Sequence, residues 1–352
     1  MTSVSAPATL TKCAFPPGES TWMKRRKTGA AETAGEMGRS LLAIVGPTAT
    51  GKTELGMLLA EALGGEIVSA DSMQLYRGMD IGTAKPTAEQ RAGIRHHLVD
   101  IIDPVEPFSV ADYRERAEAA LKDIWSRGRQ PILVGGSGLY VRAVLYEMDF
   151  GVPPDRELRQ QLTAEANTSG LHLLHERLRR MDPAAAARIH PNDQKRIIRA
   201  LEVAAASAGA ASSSRPPREE DQPVDRTRAS RYNVRQVGLA LARDDLYRRI
   251  EARAEAMIAA GLVEEIRGLL ARGYDERLVS MKGLGYAQML PHLRGEITLE
   301  EAVRLLKRDT RRFAKRQLTW FRADATIRWV DADQAGGPPG VAETILSEWR
   351  SA

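Results

Sequence analysis

Leu41-Leu42-Ala43-Ile44-Val45-Gly46-Pro47-Thr48-Ala49-Thr50-Gly51-Lys52-Thr53 is the stretch on which the fold turns. Five apolar residues in a row, without the alternation of a half-exposed strand, predict a strand buried on both faces. Residues 53–63 (TELGMLLAEAL) predict a helix that Gly64-Gly65 ends. Between them lies G-x-x-x-x-G-K-[ST], the pattern of a phosphate-binding loop, in the strand–loop–helix setting that it requires. The glycines let the backbone curl until successive N–H groups converge, and the helix N-terminus adds partial positive charge at the same point. Lys52 supplies a mobile cation for phosphate oxygens, and the Thr53 hydroxyl is the candidate Mg²⁺ ligand. Gly46 to Thr53 therefore read as a cradle for a diphosphate-like anion. The motif leaves open which anion it is and whether ATP is cleaved.

Outward from this loop the alternation continues. Glu66-Ile67-Val68-Ser69-Ala70 predicts a second strand. Ser109 and Asp112 form a Ser-x-x-Asp capping box that opens a helix running to about Arg127. Pro131-Ile132-Leu133-Val134 predicts another strand, ended by Gly135-Gly136-Ser137-Gly138. Strands alternating with helices predict an α/β fold with a parallel sheet and helices on both faces. After Val152-Pro153-Pro154 the character changes: residues 155–204 are helix-rich and strand-poor, and 205–231 are small, polar or charged. Val234 to Leu241 predicts a strand rejoining the sheet, with long helices over 244–272 and 298–321. The expected organisation is a disordered tail over 1–38, a phosphate-loop core over 39–150, a helical insertion over 151–232 with a flexible loop at 205–231, a second core part over 233–335, and a C-terminal segment over 336–352.

Composition narrows the class. The chain has 352 residues, 43% hydrophobic and 28% charged, which suits a folded core and excludes disorder throughout. No run approaches a membrane span, so no membrane partner is expected. Cys13 is the single cysteine, which excludes an intramolecular disulfide and a zinc finger and suits a reducing, cytoplasmic setting. Lys plus Arg number 51 against 46 Asp plus Glu, so the location of the small excess matters more than its size. The working expectation is a monomer.

Three further segments bear on chemistry. Asp71, in Asp71-Ser72-Met73-Gln74, follows the second strand, where ligands of open α/β sheets bind. A carboxylate there can hold Mg²⁺, take a proton, or cap the next helix. Ser137 stands in the glycine turn after another strand, where the glycines permit close backbone approach or form a plain turn. His96 and His97 suggest metal ligands, but neighbours on a strand point to opposite faces, so a structural role is expected. On a helix over 303–322, Val303, Leu306, Thr310, Phe313, Gln317 and Trp320 share one side, and Arg304, Arg308, Arg311, Lys315 and Arg322 the other. Eight basic residues (304, 307, 308, 311, 312, 315, 316, 322) face one acid, Asp309. So nearly single-signed a helix suits a polyanion, and a nucleic-acid backbone in particular.

Taken together, GPTATGKT (46–53), VSADSMQLYRGMDIGTAKP (68–86), HHLVDIIDP (96–104), ILVGGSGLY (132–140), NDQKRIIRALEV (192–203), MKGLGYAQM (281–289) and KRQLTWFR (315–322) resemble the tRNA dimethylallyltransferase, or isopentenyltransferase, family of the bacterial type. The resemblance implies a P-loop NTPase-like sheet with a helical insertion domain. It also implies transfer of a dimethylallyl group from dimethylallyl diphosphate to the exocyclic amine of the adenine 3′ to the anticodon. By likeness Gly46–Thr53 hold the diphosphate with Thr53 on Mg²⁺, Asp71 is the general base, and Arg249 helps to bind the donor. Asp71, Ser72, Met73 and Gln74 would contact the target adenine region, and Ser137 the acceptor. The tRNA anticodon stem-loop would be gripped by Arg159, by Lys195, Arg196, Ile197, Ile198 and Arg199, by Met281, Lys282, Gly283, Leu284, Gly285 and Tyr286, and by Lys315, Arg316, Gln317, Leu318, Thr319, Trp320, Phe321 and Arg322. The chain departs from the family pattern at Ala204–Arg218, where a Thr-Gly-Lys-Pro-like stretch is replaced by Ala, Ser and Pro. Two neighbouring readings remain: a prenyltransferase acting on free adenine nucleotides, which has no need of the basic helix, and a phosphate-loop kinase for small molecules. A non-catalytic RNA-binding protein with a vestigial loop is disfavoured by the intact Gly51-Lys52-Thr53 and Asp71.

Overall fold

A computed structural model of the chain describes residues 38–148, 150, 155–208 and 230–350. The expected tail over 1–38, apart from Gly38, and most of the expected 205–231 loop lie outside these residues. The first half of the fold comprises β1 (Ser40–Val45), α1 (Lys52–Leu63), β2 (Glu66–Ser69), α2 (Ala88–Gly93), β3 (His96–His97), α3 (Val110–Ser126), β4 (Pro131–Gly135) and α4 (Gly138–Leu145). Four helices follow: α5 (Arg156–Ser169), α6 (Leu171–Met181), α7 (Pro183–Arg188) and α8 (Gln194–Ala208). The chain then returns through β5 (Asn233–Ala240), α9 (Arg243–Ala259), α10 (Leu262–Ala271), α11 (Tyr286–Leu293), α12 (Leu299–Arg322), β6 (Arg328–Asp331) and α13 (Gly337–Arg350).

All six strands form one parallel sheet in the order β3-β2-β4-β1-β5-β6. β1 lies between β4 and β5, which explains its unbroken apolar run: alternate residues serve opposite faces. Leu42 and Ile44 pack with Leu55 and Leu59 of α1 and with Val341 and Ile345 of α13. Leu41, Ala43 and Val45 join the opposite core with Tyr113, Leu121 and Ile124 of α3 and Val144 of α4. The capping box at Ser109 is formed on both sides. α5 to α8 enclose a separate small core of Leu162, Leu174, Leu178, Ile197, Ile198 and Leu201.

Three elements differ from the sequence expectation. The helix expected over 244–272 is broken in two by Gly261, whose φ of 95° is left-handed. α8 runs to Ala208, so residues 205–208 are helical rather than part of a loop. β6 falls within the expected second core part and completes the sheet, and α13 covers its α1 face, where only a C-terminal segment was expected.

Candidate active site

The loop after β1 curls as its glycines require. Gly46, Ala49 and Gly51 have φ of 133°, 65° and 87°. A Cβ on Gly46 would lie 2.6 Å from the carbonyl oxygen of Leu239 on β5, so neither the conformation nor the space admits a side chain. The Thr50 hydroxyl donates to the Pro47 carbonyl at 2.9 Å, and the Lys52 ammonium donates to the same oxygen at 2.5 Å. α1 begins at Lys52, so its free N–H groups open toward the loop.

Beside the loop lies a cavity of about 80 Å³ lined in part by Thr48, Lys52, Thr53, Asp71, Arg253 and Gln317. Asp71 thus shares a cleft with the phosphate loop, as its position after β2 implies. One of its oxygens accepts the Met73 N–H at 2.9 Å, which fixes the turn. Burial, with the Arg253 guanidinium nearby, pulls the Lys52 ammonium down to about 7, and the Asp71 carboxylate opposes this. Burial lowers Arg253 as well, again against the pull of Asp71. Two cations and one carboxylate therefore face each other in a poorly hydrated space.

Arg253 is the site residue that the sequence reading missed. It stands one turn beyond Arg249 on α9. Arg249 is exposed, is not among the residues lining the cleft, and pairs with Asp333 at 2.5 Å. The two arginines share a helix face, and only the axial seat of α9 against the phosphate loop decides which one enters the cleft. The i, i+4 repeat was the available signal, and it does not choose between them.

The glycine turn after β4 has a specific job. A Cβ on Gly136 would come within 2.3 Å of the Gln317 side-chain nitrogen, and one on Gly138 within 2.1 Å of Trp320. Both glycines thus make room for α12. Ser137 between them accepts the Ser72 N–H at 3.0 Å and lies 3.2 Å from the Ser72 hydroxyl. Its own N–H donates to the Ala70 carbonyl at 3.1 Å, so the turn clips the segment carrying Asp71. Gln74 accepts the Ser69 hydroxyl at 3.0 Å and is buried at the cleft wall.

Other expected site residues fall into two groups. Lys195, Arg196, Lys282, Lys315, Arg316, Thr319, Arg322 and Arg159 are exposed, and Leu284 is half-buried. Ile197, Ile198, Met281, Tyr286 and Phe321 are buried and belong to the cores. Tyr286 donates to Glu265 at 2.7 Å, and Met73 lies where a Cβ on Gly283 would point. Arg159 and Arg199 both bond the buried Glu202 carboxylate, at 2.7 and 3.4 Å. The α12 cations are less single-signed than the sequence suggests. Arg304 pairs with Glu301, Arg308 and Arg312 with Asp309, and Lys307 and Arg311 with Glu255 and Glu251 of α9. The open cations are at its C-terminal end, Lys315, Arg316 and Arg322. His96 and His97 part as expected: Nδ1 of the first lies 2.7 Å from the Ile94 carbonyl, and Nε2 of the second 2.7 Å from Glu66.

Among the described residues no cluster of three or more His, Cys, Asp or Glu side chains is placed to hold a metal ion. The cleft does offer the Thr53 hydroxyl and the Asp71 carboxylate. Such a sparse oxygen set fits Mg²⁺, which keeps several waters and takes its remaining ligands from phosphates.

Comparison with known proteins agrees with this geometry. The family model described as IPP transferase matches residues 74–324. The tRNA dimethylallyltransferase of Desulforudis audaxviator is 55% identical over 306 residues, which is 87% of this chain and 96% of the relative. That of Pelotomaculum thermopropionicum is 50% identical over 306 residues, 87% and 95% of the two chains. The crystal structure of the full-length tRNA isopentenylpyrophosphate transferase from Bacillus halodurans matches with a TM-score of 0.63 at 44% identity, covering 89% of this chain and 97% of that one. The chain belongs to the IPP transferase family.

Proposed function

We propose that the protein is a tRNA dimethylallyltransferase that moves a dimethylallyl group from its diphosphate to the exocyclic amine of the adenine 3′ to the anticodon. The observation that carries this reading is the shared cleft of Asp71, Lys52, Arg253 and the phosphate loop, roofed by a helix with open cations at its end.

The adenine amine is a weak nucleophile because its lone pair is delocalised into the ring. As its nitrogen bonds to C1 of the dimethylallyl group, its proton passes to the Asp71 carboxylate. The C1–O bond breaks at the same time, and the electron pair leaves with the diphosphate. The loop N–H groups, Lys52 and Arg253 are already aimed at that growing charge, in a cleft where water does not screen them. Thr53 would hold a Mg²⁺ ion, which would supply charge neutralisation on the leaving group. Arg253 takes the donor-binding role that the family resemblance assigns to Arg249. Ser137 holds Ser72 and through it the turn of Asp71. The helices α5 to α8 and the C-terminal end of α12 grip the RNA through Arg159, Lys195, Arg196, Arg199, Lys315, Arg316 and Arg322, which offsets the cost of unstacking the target base. The buried Ile197, Ile198, Met281, Tyr286 and Phe321 shape these segments from beneath.

Incubation with dimethylallyl diphosphate, Mg²⁺ and unmodified tRNA, followed by nucleoside mass analysis, tests the reading. A five-carbon mass gain on adenosine is expected. Phosphoryl transfer from ATP without RNA, and no such mass gain, would refute it.

A further inference from the structure

Gln317 lies on the inner side of α12, between the open cations of that helix and the phosphate loop, and is almost fully buried. Its side-chain oxygen accepts the Thr48 N–H at 2.9 Å, across 269 residues of sequence. Its side-chain nitrogen donates to the Gly136 carbonyl at 2.9 Å. The amide can be placed only one way, because an N–H needs the oxygen and a carbonyl needs the nitrogen. Gly136 has no side chain because a Cβ there would stand 2.3 Å from that nitrogen. One amide thus joins the helix, the phosphate loop and the glycine turn that bears Ser137.

We propose that Gln317 is a positioning residue of the diphosphate site, and that its contribution is to the shape of the phosphate loop rather than to the grip on RNA. The bond to Thr48 takes one N–H of the loop out of solvent and out of competition for the ligand. It pins the first half of the loop, so that the N–H groups at the start of α1 keep their convergence. Without it the Thr48 N–H and the Gly136 carbonyl lose their partners together, and the loop must rearrange to recover them. The adjacent Arg316 and Leu318 point elsewhere on the helix, so residues within one family segment divide between two ligands. This inference rests on the reading of Gly46–Thr53 as the diphosphate cradle.

The test uses the full-length protein with Mg²⁺ and two separate probes, inorganic diphosphate and an unmodified anticodon stem-loop RNA. Gln317→Met keeps most of the volume and removes both hydrogen bonds. The expected result is a diphosphate Kd raised on the order of tenfold, with the RNA Kd changed by less than about twofold. In turnover the KM for dimethylallyl diphosphate should rise by more than kcat falls. Gly136→Ala gives an independent approach, since its Cβ pushes the Gln317 amide off Thr48 without replacing either residue, and it should reproduce the diphosphate defect. The inference is overturned if both probes weaken equally, if RNA binding alone weakens, or if a folded Gly136→Ala protein binds diphosphate normally. Failure of the wild-type protein to transfer a prenyl group would refute the activity, whereas the diphosphate titration reads the loop directly.

Discussion

Lys52 makes the donor site pH-dependent in a direction that can be worked out. Burial and the Arg253 guanidinium bring its ammonium down from 10.5 to about 7. Near pH 7 about half the molecules therefore carry a neutral Lys52, and at pH 8 about nine-tenths do. A bound diphosphate needs the charged form and raises the pKa again. Binding then draws in a proton: about half of one at pH 7, and close to one at pH 8. Affinity should fall by about tenfold per pH unit above 7, about 1.4 kcal/mol each, until the pKa of the complex is reached. In the fold itself the sign is the opposite. The folded pKa lies below the unfolded one, so the unfolded chain holds more protons between about 7 and 10.5, and this group alone makes stability rise with pH there. Calorimetric titration with inorganic diphosphate, in two buffers of different ionisation enthalpy, reads the proton uptake. Diphosphate also titrates in this range, and Lys52→Arg supplies the reference because its guanidinium stays charged. Equal proton uptake by the wild type and Lys52→Arg at pH 8 would refute the reasoning.

Four further outcomes follow from the geometry. Asp71→Asn should cut prenyl transfer about 10²–10⁴-fold while leaving diphosphate binding within a small factor, read by turnover beside calorimetry. Arg253→Ala should raise the donor KM strongly, whereas Arg249→Ala, which removes an exposed pair with Asp333, should change it little; kinetics on the two variants would expose a reversed assignment. Lys315→Ala and Arg316→Ala should each lower the slope of log K against log salt for tRNA by roughly 0.7–0.9, if each meets one phosphate. Gly138→Ala places a Cβ 2.1 Å from Trp320 and should cost about 1–3 kcal/mol, seen as a lower Tm.

What the sequence disclosed depended on the range of the interactions involved. The phosphate loop was legible because strand, glycines, lysine and helix are contiguous, and Asp71 because a strand end is a local address. Arg253 was not, since helical spacing offers Arg249 equally and only packing separates them. A segment match also carries every residue within it, so it assigned Tyr286 and Ile197 to RNA although both are buried. The charge count on α12 overlooked Glu251 and Glu255, because those acids come from α9 and reach it only in the fold. β3 has two residues, both histidines, and β6 has four, too few for any periodicity to register.

The glycine turn shows how the two halves of the site are joined. From sequence, Gly135-Gly136-Ser137-Gly138 is equally a turn or a ligand loop. In the structure Gly136 and Gly138 leave the space into which Gln317 and Trp320 of α12 fit, three residues apart on one face. Ser137 reaches the other way, to Ser72 beside Asp71. The turn is therefore the piece through which α12 and the segment carrying Asp71 are held in register. Neither Gly136 nor Gly138 can take a side chain without displacing Gln317 or Trp320. A helix attached by long exposed side chains would drift by ångströms at little cost. One seated on two glycines does not, and a prenyl transfer that needs the amine, C1 and the leaving oxygen in line, with the carboxylate beside the amine, depends on that rigidity.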